Sequence, residues 1–435
     1  MEAEPISKGQ SLAAVDAYAM ARATQPPAVP TGGWLTALWL EGMLRSSLRT
    51  ETGEEVAILQ PGLPEHPGSK RLIEAVLAFG KAPAQRGAVL IGGEENGAMA
   101  RLVWRAEKAG TIPQIILEEG LLAPWTEVGD LIDPPREGES SPASGGEGIS
   151  AEALLPLLEA AGIHRLRRRA RRLAWRIAAV GREQAVWEGV AEALGYGGNQ
   201  APFRHLARRL PLAYLAPMSD GAREALLFGV AGFLPAGDLS GLAAPARETL
   251  KPLWENWWKV RAGLDYAVLP PGAWSRFRIR PANRPERRLS ALSALVPQIP
   301  RLVRAVERRD PRIVARIASE CVDPFWSRHA AWTGKTSAKP SRLIGDDRVD
   351  DLTLNLFWPL VALREPRGEA EAIAALFGLA MPGNRVVRET AAAWGLEPKQ
   401  CRTALIQQGM LQIRRDLSGP LPPPGGLAGM VKRHG

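Results

Sequence analysis

Beyond Ala151 the apolar residues of this chain recur at helical spacing almost without interruption, and that pattern narrows its fold more than any other feature. In AGIHRLRRRARRLAWRIAAV, residues Leu166, Ala170, Leu173 and Ile177 fall at i, i+4, i+7 and i+11, which is one stripe of a helix. The other faces carry Arg165, Arg167, Arg168, Arg169, Arg171, Arg172 and Arg176. Similar periodicity runs through REQAVWEGVAEAL, FRHLARRLPLAYL, REALLFGVAGFL, LKPLWENWWKVR, RRLSALSALVPQIPRLVRAV, PRIVARIASECV and DLTLNLFWPLVAL. Glycine and proline punctuate the segments without a fixed repeat period. The pattern predicts a large all-α domain over residues 151–420.

The N-terminal part reads differently. WLTALWLEGML places Trp34, Leu35, Leu38, Trp39 and Leu40 at helical spacing, whereas EEVAILQPG, GAVLIGG and ARLVWRAE have the brevity and β-branched content of strands. TIPQIILEEG suggests another strand, and RLIEAVLAF suits either a helix end or a strand. Residues 31–133 are therefore expected to form a small mixed α/β lobe, which makes the whole chain α+β. PPREGESSPASGGEG, within residues 134–150, is too rich in Pro, Gly, Ser and Glu to bury a core and reads as a linker. Residues 1–30 and 421–435 have the composition of loose tails.

Charge divides along the same line. The chain of 435 residues carries a formal charge of +9. Thr31 to Asp133 hold 9 basic and 14 acidic residues, a balance of −5, while Ala151 to Pro420 hold 41 and 26, a balance of +15. The basicity belongs to the helical part, and a polyanionic partner, DNA or RNA, would be met there. Two cysteines, Cys321 and Cys401, exclude a disulfide scaffold and a thiolate zinc site. No run of about 18 apolar residues occurs, so no transmembrane helix is expected. The opening MEAEPISKGQ lacks the basic and apolar regions of a secretory signal, and a cytoplasmic location is the expectation.

Four segments taken in order carry a likeness: Arg182 to Leu215, Trp274 to Leu292, Arg342 to Leu360 and Gln400 to Asp416. Together they resemble a bacterial family known as domain of unknown function 2851 (DUF2851). Members of that family carry an N-terminal α/β lobe. In it a Pro-Gly turn leads to a Gly-Pro-Asp-Phe segment and then to a Gly-Asp-Val-Glu-Ile-His strand, an order similar to that of PD-(D/E)xK nucleases. The resemblance implies the scaffold of that lobe without its chemistry. Leu59-Gln60-Pro61-Gly62 matches the turn, but Arg71 stands at the position of the Asp, Leu90 at that of the Glu and Gly92 at that of the His. Neither an aliphatic side chain nor a guanidinium ligates a cation. The lobe is thus expected to be a catalytically dead pseudoenzyme, and SGPLPPPGG stands where the family's C-terminal cysteine cluster would begin.

Other constellations each have two readings. Arg276, Arg278, Arg280, Arg284, Arg287 and Arg288 surround Trp274 and Phe277, a mixture suited to phosphate pairing and base stacking, or else to a turn whose arginines tie helices together. Asp347 and Asp351 share a helix face in GDDRVDD and are weak candidates for a hard cation, although acidic residues also favour helix N-termini. NRVVRETAAAWGLEPKQCRTALIQQGML has the outline of a helix-turn-helix with a Gln-rich second helix. His66, His164, His205, His329 and His434 are scattered, with no nucleophile beside them. No cofactor-binding loop is present, for GGEENG lacks the spacing and lysine of a P-loop.

The expected function is non-catalytic nucleic-acid binding through the two arginine segments. The alternatives are a helical module that binds another protein through tryptophans such as Trp254, Trp257 and Trp258, and a residual metal-dependent hydrolase.

Overall fold

The computed structural model describes residues 48–50, 54–60, 72–79, 85–92, 101–106, 114–117 and 151–416, except 196–197, 236–238, 262–263, 265–267, 270 and 277–278. The helix expected around Trp34 to Leu40, the linker and both tails lie outside the described residues.

The described residues are mainly helical, and the α+β fold with a mixed α/β lobe is corrected. Between Leu48 and Leu117 the described elements are strands alone: β1 (Leu48–Thr50), β2 (Glu55–Gln60), β3 (Leu72–Phe79), β4 (Gln85–Gly92), β5 (Arg101–Ala106) and β6 (Gln114–Leu117). Each pairs antiparallel with the next, and β6 returns to β1 through Leu48 opposite Leu117 and Thr50 opposite Ile115. The result is a small closed barrel of up-and-down order. Period-2 burial explains it. Leu77 and Phe79 are buried in β3, Phe79 pairs with the buried Val56, and Gly87 and Val89 are buried in β4. That alternation also settles RLIEAVLAF as a strand. A nuclease-like lobe of sheet and flanking helices is therefore not found among the described residues. Leu90 sits within β4 between Leu72 and Val103, Gly92 ends β4 opposite Arg101, and Arg71 lies outside the described residues.

The helices follow in order: α1 (Ala151–Val180), α2 (Arg182–Leu194), α3 (Gln200–Arg209), α4 (Leu212–Leu215), α5 (Asp220–Val230), α6 (Ala244–Val260) and α7 (Pro285–Leu295). After them come α8 (Ile299–Arg308), α9 (Arg312–Glu320), α10 (Asp346–Leu352), α11 (Trp358–Ala362), α12 (Pro366–Gly378), α13 (Arg385–Ala393) and α14 (Ala404–Asp416). Pro211 divides FRHLARRLPLAYL into α3 and α4, since its ring and missing N–H cannot continue a helix. Thr353–Phe357 form a π-helical turn ahead of Pro359, a widening that relieves the clash between a proline ring and the carbonyl one turn earlier.

The chain divides into two compact units. One takes the described residues of Pro135–Trp175 and Phe357–Gly435, the other those of Pro26–Pro134 and Arg176–Leu356. In the first unit α1 and α14 cross so closely that a Cβ on Gly162 would meet the Leu405 backbone and one on Gly409 the Leu158 carbonyl. Ala404 to Met410 are all buried there, and the Gln407 amide donates 2.9 Å bonds to the carbonyls of Met381 and Cys401. This corrects the helix-turn-helix reading, because a helix sunk in its own domain cannot enter a DNA groove.

In the second unit an aromatic cluster fills the core. Trp326 stacks on Phe228 with centroids 5.5 Å apart and meets Trp332 edge-on at 4.6 Å, with Phe325 against both tryptophans. Trp257 of α6 lies directly over Gly229 of α5, where a Cβ would strike the indole.

Candidate nucleic-acid interface

The arginine run of α1 turns largely toward its own chain. Arg165 donates from Nε to Gln408 Oε1 at 2.8 Å and from Nη1 to Gln412 Oε1 at 3.1 Å, and Arg169 reaches the same Gln408 oxygen at 3.5 Å. Arg167 pairs with Glu369 at 2.7 Å, and Arg168 is buried. Arg172 is half-buried, and Arg171 is the exposed member of the run. The period of 3.6 that makes this helix amphipathic also places every third or fourth guanidinium at the border of its buried stripe. There α12 and α14 supply acceptors. The run therefore works mainly as a fastening between helices.

Arg176 falls in the second unit, where a buried carboxylate gathers cations. Glu188 of α2 is 3% exposed. It accepts Arg176 Nε at 2.7 Å and Nη2 at 2.8 Å, Arg208 Nε at 3.0 Å and the Gln184 amide at 3.1 Å. Burial pulls its pKa up, but the bonds and charges of Arg176 and Arg208 overcome that and leave it below the ordinary carboxylate value. Burial, together with Arg204, pushes Arg208 down to about 10, so it stays charged at neutral pH. Beside them His205 is fully enclosed. Burial and then the charges of Arg208, Arg204 and Arg209 hold it well below its ordinary pKa, so it is neutral, and its Nε2 has no partner among the described residues.

The second arginine segment is also mostly inward. Trp274 is buried, donates to the Ala231 carbonyl at 2.8 Å and meets Phe203 edge-on. Arg287 donates to the Ser341 carbonyl and hydroxyl at 2.8 and 2.7 Å and to the Arg342 carbonyl at 2.8 Å. Arg288 reaches the Leu343 carbonyl at 2.7 Å and Asn283 Oδ1 at 2.5 Å. Both side chains are buried, and desolvation lowers Arg288 to about 9. These two guanidiniums clamp the 341–343 backbone onto α7, which leaves them no face for a phosphate. Arg276 pairs with buried Glu286 at 2.7 Å and lies 5.0 Å from the Phe233 ring centroid, yet remains half-exposed. Arg280 is exposed, Arg284 caps α7 and is half-buried, and Arg278 and Phe277 lie outside the described residues.

The weak metal candidates do not converge. Asp351 pairs with Arg348 at 2.5 Å, Asp347 is exposed, and Arg342 takes Asp346 at 2.9 Å. Among the described residues no group of three His, Cys, Asp or Glu is placed to hold a metal. His329 is a packing residue. Its ring stacks on Phe325 at 4.0 Å, Nδ1 lies 2.9 Å from the Phe325 carbonyl, and Nε2 lies 2.9 Å from the Thr336 hydroxyl. In the neutral ring Nδ1–H therefore donates to the carbonyl and Nε2 accepts from the hydroxyl.

A further set of outward-facing cations lies on another pair of helices. The α8–α9 hairpin turns through Arg309, whose φ of 55° is left-handed. Ile299, Leu302, Ala305 and Val306 of α8 and Val314, Ile317 and Ala318 of α9 are buried. Arg304, Arg308, Arg312 and Arg316 are exposed at i, i+4 spacing along the two helices. Arg312 pairs with Asp310 and Arg301 with Glu320, while Arg304, Arg308 and Arg316 make no salt bridge to any described residue. The sequence signal for this face was the same outward arginine periodicity that singled out residues 165–176, spread over a turn instead of packed into one run.

A family model described as "Protein of unknown function (DUF2851)" matches residues 112–380. The chain belongs to the DUF2851 family. The DUF2851 span takes in β6 and all of α1 to α12, and with them Glu188, the arginine clamp on 341–343 and the α8–α9 hairpin. Arg71, Leu90 and Gly92 precede it. Searches of curated proteins and of solved structures returned no match for this DUF2851 member. Among the described residues no helix is long and apolar enough to cross a membrane.

Proposed function

We propose that this DUF2851 member is a non-catalytic nucleic-acid-binding protein that contacts the phosphate backbone through the outer face of α8 and α9. The observation that carries the reading is the set Arg304, Arg308 and Arg316, exposed and without salt bridges to described residues, in a region whose balance is +15. A guanidinium already held by a carboxylate or carbonyl gains little by moving to a phosphate, because it must give up bonds of similar strength. One that faces water releases a condensed counterion when it binds, and that release drives association. By this criterion Arg165, Arg167, Arg168, Arg176, Arg287 and Arg288 serve the fold. Arg276, held by Glu286, joins them, and Arg280 and Arg284 remain secondary contributors at the surface.

Fluorescence anisotropy against single-stranded and double-stranded DNA and RNA tests the reading. Binding at about 50 mM salt should weaken steeply as salt rises. Replacing Arg304, Arg308 and Arg316 by Ala should flatten the salt slope by up to about three charges' worth. A flat salt response in the wild type, or a protein partner that co-purifies through high salt while no nucleic acid binds, would sink it.

A further inference from the structure

Helix α6 carries a second kind of surface. Arg247, Lys251, Trp254 and Trp258, followed by the C-capping Arg261, are spaced by four, three, four and three residues, so they form one stripe along the helix. The buried side of α6 is Ala246, Leu250, Leu253 and Trp257. Trp258 follows Trp257 and so stands about 100° round the helix, on the flank beside the buried side, 44% exposed. The Arg261 guanidinium lies 4.4 Å from its ring centroid, and Trp254 meets it edge-on at 5.1 Å. Trp254 is itself fixed by its Nε1–H, which donates to the Pro235 carbonyl at 3.2 Å. Arg247, Lys251 and Lys259 are exposed and make no salt bridge to a described residue. The acidic residues of the helix are Glu248 and Glu255, so the helix with its cap is net positive.

We infer that this stripe is a stacking platform for single-stranded nucleic acid, with an unpaired base laid against Trp258 and phosphates drawn by Arg247, Lys251 and Lys259. The inference rests on the nucleic-acid reading above and names the class of substrate. An indole braced by a second indole and a guanidinium presents a rigid π-surface at little entropic cost, and every base has a π-face to lay on it. In a duplex those faces are already stacked, so the platform selects unpaired strands. A membrane surface fits less well, because the exposed surface around Trp258 carries Lys251, Glu255 and Lys259 and is not a continuous apolar face.

The test compares oligothymidylate with a DNA duplex of equal length, using wild type, Trp258→Ala, Trp258→Phe and the Arg304/Arg308/Arg316→Ala triple variant. Circular dichroism checks that each is folded. Trp258→Ala should lower affinity for oligothymidylate roughly tenfold and leave duplex affinity unchanged, and Trp258→Phe should restore most of the loss. Equal affinity of Trp258→Ala and wild type for oligothymidylate, with the triple variant impaired on both probes, overturns the platform and leaves the nucleic-acid reading standing. Failure of the wild type to bind either probe overturns both. Binding of wild type, but not Trp258→Ala, to anionic phospholipid vesicles, with oligothymidylate unaffected by the substitution, assigns the stripe to membranes and overturns the platform as well.

Discussion

Arg176 grips Glu188 as a fork, Nε on one carboxylate oxygen at 2.7 Å and Nη2 on the other at 2.8 Å. The same carboxylate serves Arg208, so one buried anion is shared by two cations. Truncating it removes the carboxylate that both guanidiniums share, which costs far more than the pair itself contributes.

Glu188→Ala should therefore destabilise the protein by about 3–5 kcal/mol, read as a lower urea midpoint with little change in slope. Arg176→Lys should lose part of that, since an ammonium cannot reproduce the planar fork. The sign with pH follows from the lowered carboxylate. Glu188 contributes stability above its unfolded value of 4.5, and that contribution is lost as pH falls through its lower folded value. A wild-type acid-unfolding curve that coincides with that of Glu188→Ala would contradict this.

Glu224 of α5 runs the other way. Burial, then the nearby Asp323, raises its carboxyl to about 7, and Oε1 has no partner among the described residues. The folded state holds a proton there that the unfolded chain releases near 4.5, so this group favours folding most below that value, and the advantage is lost as pH rises from 4.5 through 7. Glu224→Gln should be more stable than wild type above neutrality, by up to about 3 kcal/mol, with the gap closing in acid. Thermal unfolding across that range checks it. A constant gap at all pH values would show that packing, not ionisation, sets the difference.

Close helix approach gives a third expectation. Gly409→Ala must push α14 away from the Leu158 carbonyl, and Gly229→Ala must displace the Trp257 indole. Each should cost about 1–3 kcal/mol by overpacking. Gly241→Ala, where nothing lies near the added methyl, is the control and should unfold like wild type.

Much of the helical architecture was legible before the structure. REQAVWEGVAEAL reads as a helix and is one, because its apolar spacing reports burial directly. The N-terminal lobe was misread because local pattern marks strands but not their partners. Nothing in LRT or QIIL announces that they pair with each other across the whole lobe. The roles of the arginines were hidden for a similar reason. Three of the acceptors that hold Arg287 and Arg288 are main-chain carbonyls of residues 341–343, and a carbonyl leaves no mark in composition. Arg304 and Arg316 were passed over because three arginines in a row, Arg167 to Arg169, draw attention that evenly spaced ones do not. Gln407 and Gln408 suggested a base-reading helix, whereas Gln407 donates to the carbonyls of Met381 and Cys401 and Gln408 accepts from Arg165.

The return of β6 to β1 has a consequence for how the N-terminal strands can meet other molecules. Main-chain donors and acceptors along an open sheet margin invite an extra strand from another chain, in recognition or in aggregation. A ladder that closes on itself offers no such margin. Any partner of this lobe must be recognised through side chains on its outer wall or at its two rims, and an extended peptide cannot be stitched in as a seventh strand without first opening the ring.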